Sequence, residues 1–307
     1  MKRKKTGFTP LEMIISNRAG NEGSKRFLTG FTTVELLTVL AIISMLVGLL
    51  IPAVSMVKSI AREVKQSAQL TTMGMALEAF RNDYGDYPPS NLQIGGDYCG
   101  AQKLAEALCG WDLLGFHPKS DFNSDGCDNS GVPVYDQANL DERKGPYLEL
   151  ATANVFKLGA LFFPNGTSPL NGDRYVICDA FGVKSVPVPV GGKAFKAGTP
   201  ILYYRANVSS KQMIYNSSGI TNFAANIYNV QDNGILVALG KVKDGSPHRL
   251  DINLNPGVFY SSDGGVIDPK VPAPAGMVGW PYMPDSYILI SAGADGEYGT
   301  GDDITNF

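Results

Sequence analysis

Histidine is scarce in this chain: His117 and His248 are the only two in 307 residues, and neither stands at metal-ligand spacing. The four cysteines, Cys99, Cys109, Cys127 and Cys178, form no Cys-x-x-Cys pair. That argues against a zinc ribbon or a thioredoxin-like redox centre. Gly-x-Ser-x-Gly, His-Glu-x-x-His and the P-loop are absent too, and neither histidine comes with a nucleophile. The sequence therefore offers no catalytic constellation and reads as a non-enzyme. With a formal net charge of −3 there is no basic excess of the kind a nucleic-acid partner requires.

The most telling absence is local. Residues 36–57 contain no charged side chain at all. Twenty-two such residues in a helix span about 33 Å, enough to cross the hydrocarbon core of a bilayer. The first thirty residues carry Lys2, Arg3, Lys4, Lys5, Arg18, Lys25 and Arg26 against only Glu12 and Glu22. Mixed charges follow the run. That asymmetry orients the N-terminus inside and the rest outside, as a single-pass anchor bearing an exported C-terminal part.

A secretory signal peptide would have a shorter apolar core with a small-residue cleavage site behind it. Here the informative residues precede the apolar run: Thr29-Gly30-Phe31-Thr32-Thr33-Val34-Glu35-Leu36. This string resembles the type IV prepilin motif, and the chain resembles the major pseudopilins of type II secretion systems. The resemblance implies a leader at residues 1–30, cut by prepilin peptidase between Gly30 and Phe31, with methylation of the new Phe31 amine. It implies a filament-core helix over residues 31–57, and homo-oligomers built with other pseudopilins on an inner-membrane assembly platform. Glu35 would meet the N-terminal amine of a neighbouring subunit and set register. A carboxylate near the end of a membrane helix is costly without such a partner; the simpler reading leaves it solvated at headgroup level. Pro52 falls late in the apolar run, where it removes a helical donor and loosens packing. A second copy, Thr6-Gly7-Phe8-Thr9-Pro10-Leu11-Glu12, lacks a following apolar run and reads as a decoy, a remnant, or the mark of a misassigned start.

Met56, Ile60, Val64, Leu70, Met73, Leu77 and Phe80 predict one helical stripe, extending the helix over residues 33–82, with an amphipathic half at 58–82. Asp83-Tyr84-Gly85-Asp86-Tyr87-Pro88-Pro89 stops it. Most of the 35 glycines and 19 prolines lie beyond it, pointing to a loop-rich, β-containing head at residues 83–307. Residues 101–114 read as a short helix and 235–239 and 287–291 as short strands, and Pro200-Ile201-Leu202-Tyr203-Tyr204-Arg205 resembles a strand of the same family. The fold class expected is α+β, a long helix on a small antiparallel sheet with long loops. Gly145-Pro146-Tyr147-Leu148 and Asp179-Ala180-Phe181-Gly182 resemble segments of the same family, whose head is smaller. Residues 115–145 and 206–285 read as insertions. An exported head would permit disulfides, most simply Cys99–Cys109 and Cys127–Cys178, with four buried thiols as the alternative.

The chain closes on Ser291-Ala292-Gly293-Ala294-Asp295-Gly296-Glu297-Tyr298-Gly299-Thr300-Gly301-Asp302-Asp303-Ile304. Crowded carboxylates repel unless a cation holds them, and calcium takes six to eight oxygen ligands of this kind. The stretch also resembles the family's C-terminal calcium loop, which implies Asp295, Asp302 and Asp303 as side-chain ligands with Ser291 and main-chain oxygens completing the shell. A solvated acidic tail is the bland alternative. A second acidic loop, Asp121-Phe122-Asn123-Ser124-Asp125-Gly126-Cys127-Asp128, lacks the closing glutamate of an EF-hand and reads as a turn rich in Asx residues. A type IV pilus or adhesin subunit, and a pilin-anchored extracytoplasmic enzyme or binding module, are the rival readings. The insertions leave room for the latter.

Overall fold

The computed structural model describes residues 31–92, 96–162, 169–187, 194–214 and 223–307. Gly30, the rest of the leader and the duplicated motif lie outside the described residues. The chain separates into two units, Met1–Ala53 and Val54–Phe307. Helix α1 (Thr33–Tyr84, 52 residues) contributes to both.

In the first unit, α1 begins with a reciprocal cap. Glu35 Oε2 accepts the Thr32 N–H at 2.8 Å, while Thr32 Oγ1 accepts the Glu35 N–H at 3.2 Å. Two of the amides that a helix start leaves over are thereby satisfied. Every residue of this part of α1 is exposed. It is long and apolar enough to cross a membrane, and none of its most apolar window is buried. Pro52 is accommodated inside α1.

In the second unit, burial on α1 begins at Gln66 and continues through Leu70, Met73, Leu77 and Phe80. These four- and three-residue steps keep one face inward. The expected stripe is therefore shorter than its apolar pattern: Met56, Ile60 and Val64 are exposed by 68%, 50% and 63%. The helix stops two residues later than expected, where Gly85 turns at φ 85° and its N–H closes on Arg81 O at 2.7 Å.

Helix α2 (Gly100–Cys109) is buried along its whole length. It is shorter than the predicted 101–114 because the chain folds back on itself at once. A Cβ on Gly110, whose φ is 98°, would come within 2.4 Å of Gly115 O. Next come β1 (Val155–Lys157), α3 (Leu158–Phe162), β2 (Tyr175–Ile177), β3 (Lys184–Val186), β4 (Phe195–Ala197) and β5 (Leu202–Arg205). Helix α4 (Gly234–Ala238), β6 (Tyr287–Ser291) and β7 (Ile304–Thr305) complete the order. All pairings are antiparallel: β1 with β2, β3 with β4, and a three-stranded sheet β5-β6-β7. The described chain is thus α+β, with one long N-terminal apolar helix and small antiparallel sheets.

Residues 235–239 are a helix, not the strand expected. A short apolar run does not distinguish the two by periodicity. Here a 3-10 turn, Val230–Asn233, capped by the Asn229 side chain on Gln231 N–H at 3.1 Å, feeds the chain into α4.

Strand alternation assigns the central sheet two buried faces. Tyr203, Tyr287 and Leu289 pack with Leu70, Met73 and Leu77 of α1 and with Leu104 and Leu108 of α2. Leu202, Tyr204, Ile288 and Ile290 face the other way, against Ile227, Tyr228, Phe259 and Tyr260. The described residues of 206–285 therefore supply much of the second covering layer of the sheet. An apolar sheet face left in water would forfeit the largest favourable contribution to folding.

The four cysteines carry free thiols, Cys99, Cys109 and Cys178 buried and Cys127 partly so. Cys99 caps the start of α2 and Cys109 ends it. Ten residues of helix place them about 15 Å apart, far beyond disulfide reach. Cys127 and Cys178 are unbridged as well, so the second suggested bridge is not present either. Dithiothreitol should accordingly leave the melting temperature unchanged. A fall of several degrees in a thermal melt would show that a bridge exists.

Candidate functional site

Strand β6 ends at Ser291 and β7 begins at Ile304, and these two residues pair. Residues 292–303 are thus closed into a loop held at both ends by the central sheet. Gly293 makes the turn possible: at φ 64°, a Cβ there would lie 2.2 Å from Asp302 O.

Within the loop, Asp302 Oδ2 accepts the N–H groups of Ala294 at 2.8 Å and Asp295 at 3.1 Å. Thr300 Oγ1 stands 2.5 Å from Asp302 Oδ1 and 3.2 Å from Asp295 Oδ2, joining the two carboxylates. Burial pushes the Asp302 carboxyl upward, but the Thr300 hydroxyl and backbone amides outweigh it and hold the group below the ordinary carboxylate range. Asp295 moves up instead, through burial and then the Asp302 charge. Asp303 Oδ2 accepts Gly299 N–H at 2.7 Å, while its Oδ1 is buried without a partner. Burial, followed by the charges of Asp302 and Asp295, raises Asp303 to about 8.

The structure brings Asp295 and Asp302 together, with Asp303 close enough to feel both charges. The three are not gathered on one point: among the described residues no group of three or more His, Cys, Asp or Glu side chains is arranged to hold a metal. Ser291 is set deeper. Its Oγ is fully buried without a hydrogen-bond partner, as are Thr199 Oγ1 and Asp179 Oδ2. Burial raises Asp179 to about 7; the Phe181 and Thr199 amides, and Ser291 nearby, work against that rise.

Two helical glutamines tie the Asp179 segment to α1. Gln66 Oε1 accepts Ala180 N–H at 2.7 Å, and Gln69 Nε2 donates to Cys178 O at 2.9 Å. From the opposite side residues 241–250 grip the loop. Lys241 pairs with Glu297, His248 Nδ1 accepts Tyr298 N–H at 3.1 Å, and Leu250 N–H donates to Tyr298 O at 3.0 Å. Nothing in residues 240–250 carries a motif, so this clamp has no signature in the sequence.

The acidic stretch at 121–128 forms Asx turns. Asp125 Oδ1 accepts Cys127 N–H at 2.9 Å, and Asp128 Oδ1 accepts Ser130 and Val132 N–H, both at 2.9 Å. His117 is 1% exposed and lies 3.6 Å from Glu142.

A buried charged network also escaped the sequence reading. Glu106 on α2, 2% exposed, accepts hydroxyls from Tyr98 at 2.7 Å, Ser120 at 2.5 Å and Tyr135 at 2.8 Å. Lys103, one turn earlier and 1% exposed, donates to Asn91 O at 2.6 Å, and burial lowers it to about 8. A Lys and a Glu three apart on a helix read as solvated. Only the surrounding tyrosines and loop oxygens make their burial tolerable. No family model, no curated protein and no solved structure matches this chain.

Proposed function

We propose that this chain is a structural filament subunit, a pseudopilin of a type II secretion system, and not an enzyme. The observation that carries the reading is the start of α1, where one acidic residue, Glu35, follows Gly30-Phe31 at fixed spacing and heads an exposed, charge-free helix. An apolar surface of that length in the first unit has to be covered by lipid or by other helices. A single-pass anchor in the inner membrane, N-terminus inside and head outside, meets the first need; a helical filament of like subunits meets the second. Prepilin peptidase would cut after Gly30 and methylate Phe31. The Glu35 carboxylate, capped by Thr32 within one chain, would then pair with a neighbouring subunit's amine as assembly removes water.

Intact-mass spectrometry of the protein from native membranes tests this. The expected species begins at Phe31 and is one methyl group heavier than the bare chain. A retained leader, or a cut elsewhere, would sink the filament reading.

Calcium at the C-terminal loop belongs to the same proposal. The loop supplies what a hard cation takes: the joined Asp295 and Asp302 carboxylates and the buried, unpartnered Oδ1 of Asp303. These residues would hold the ion, with Ser291 behind them, and the ion would supply charge neutralisation that fixes the loop on the head. Calcium at ten times its Kd should stabilise the full chain by about 1.4 kcal/mol. Asp302→Ala should abolish that gain. The check is thermal melting in micelles with calcium against EGTA, and an unchanged melting temperature would remove calcium from the account.

A further inference from the structure

Lys103 lies on the buried helix α2 and is 1% exposed. Its Nζ is aimed at one residue, Asn91, donating to the main-chain O at 2.6 Å and to the side-chain Oδ1 at 3.4 Å. Burial lowers the amine to about 8, against the opposing pull of Asp232, Glu106 and Cys99. A desolvated lysine amine that gives up its proton is a nucleophile. Asn91 Oδ1 is bonded to Cγ, the carbon at which an amide is attacked. The fold thus holds the amine beside the side-chain amide, and such proximity stands in for a very high local concentration.

Exchange of one amide nitrogen for another needs a carboxyl group that takes a proton from the attacking amine and delivers it to the leaving nitrogen. Two buried carboxyls act on Lys103, Asp232 more strongly than Glu106. Glu106 is committed to the hydroxyls of Tyr98, Ser120 and Tyr135. Asp232 is instead held at the segment that carries Asn91. Its Oδ2 accepts the Ser90 hydroxyl, and Leu92 N–H lies near enough to favour its charged form, so its two neighbours in that segment flank Asn91. Asp232 is 4% exposed, and burial lifts its carboxyl to about 6, where it both takes and gives a proton near neutrality. Asn91 itself is exposed and lines an open cleft of about 350 Å³, which gives a small leaving group a way out.

We propose that Lys103 and Asn91 become joined by an intramolecular amide bond, with Asp232 as the proton carrier. The neutral amine attacks Asn91 Cγ and a new C–N bond forms. The proton shed by the attacking nitrogen passes through the Asp232 carboxyl to Nδ2, the Cγ–Nδ2 bond breaks, and one NH3 leaves through the cleft. No oxidant, reductant or other co-reactant is consumed. A buried cation is exchanged for a neutral amide, which removes its desolvation cost. The bond ties α2 to the segment that follows α1. It stands independently of the filament and calcium readings, and its failure leaves both untouched.

The test is mass spectrometry of the full chain, purified in micelles and then denatured. The intact mass should be lower by one NH3 than the unlinked chain. Trypsin followed by cleavage on the N-terminal side of Asp97 separates Asn91 from Lys103 along the main chain. The two pieces should nevertheless stay together as one branched species, with Lys103 resistant to trypsin. A succinimide at Asn91 would lose the same NH3 but leave the pieces separate. Separate pieces, or a full mass, overturn the proposal, and this measurement on the unaltered chain decides the matter even if a variant fails to fold. Lys103→Gln and Asn91→Ala should each give a full mass, and an NH3 loss that persists in either overturns it too. Asp232→Asn should slow the appearance of the branched species after refolding about a hundredfold. An unchanged rate would remove Asp232 and overturn the proposal as stated.

Discussion

Phe259→Ala should destabilise the globular unit by about 4 kcal/mol, the range for a buried aromatic cut to alanine. Phe259 lies in the segment 206–285, is 1% exposed and packs within 4.9 Å of the Tyr204 ring and 5.0 Å of Tyr260, centroid to centroid. Tyr204 lies in β5, so the lost contacts are contacts to the central sheet. The melting temperature should fall by roughly 10 °C. Val64→Ala makes the comparison: Val64 is 63% exposed, and its truncation should change stability by less than about 0.5 kcal/mol. Should Phe259→Ala melt like the wild type, the segment around Phe259 would be an appendage and the sheet a one-faced one.

Acid should release the C-terminal loop before it unfolds the rest. His248 is 2% exposed, and burial lowers its pKa to about 4, with Glu297 and Asp251 pulling up and Lys241 pushing down. Its Nδ1 accepts Tyr298 N–H at 3.1 Å and must stay unprotonated to do so. Between pH 6.5 and about 4 the unfolded chain takes up a proton that the folded chain refuses, so stability falls as pH drops through that window. The full loss is roughly 3 kcal/mol. His248→Asn keeps an acceptor near the same place but does not titrate. The difference in melting temperature between wild type and variant should therefore change with pH between 7 and 4, and a flat difference would exclude His248 as the cause. Asp179 acts in the opposite sense. Its carboxyl, raised to about 7, holds a proton in the folded chain, so its contribution weakens as pH rises from about 4 to 7.

How much of this was legible depends on how local each signal is. The uncharged run at 36–57, the break at Gly85 and the buried strand at 287–291 are read from neighbouring residues, and the structure has α1 and β6 there. The acidic C-terminal loop is equally local, since its carboxylates stand within nine residues of one another. Its electrostatics are not. Asp302 sits low and Asp303 high because of which backbone amides and which walls surround each. Residues 235–239 misled because five apolar residues suit a strand and a buried helix alike, and the capped turn at Asn229 decided between them. Apolar spacing likewise assigned Met56, Ile60 and Val64 to the packed stripe, although nothing in the second unit covers them.

By itself the sequence determined the plan of the chain: an apolar, charge-free stretch of helix behind a basic segment, a glycine-rich remainder, and a cluster of carboxylates near the end. Each follows from solvation and backbone chemistry acting over a few residues. Only the tertiary structure decided what 206–285 is for, which cysteines can meet, and where Lys103, Glu106 and Asp232 find their surroundings. Those outcomes depend on contacts between residues far apart in the chain. A buried charge or a covered sheet face becomes favourable only when the distant partner has arrived.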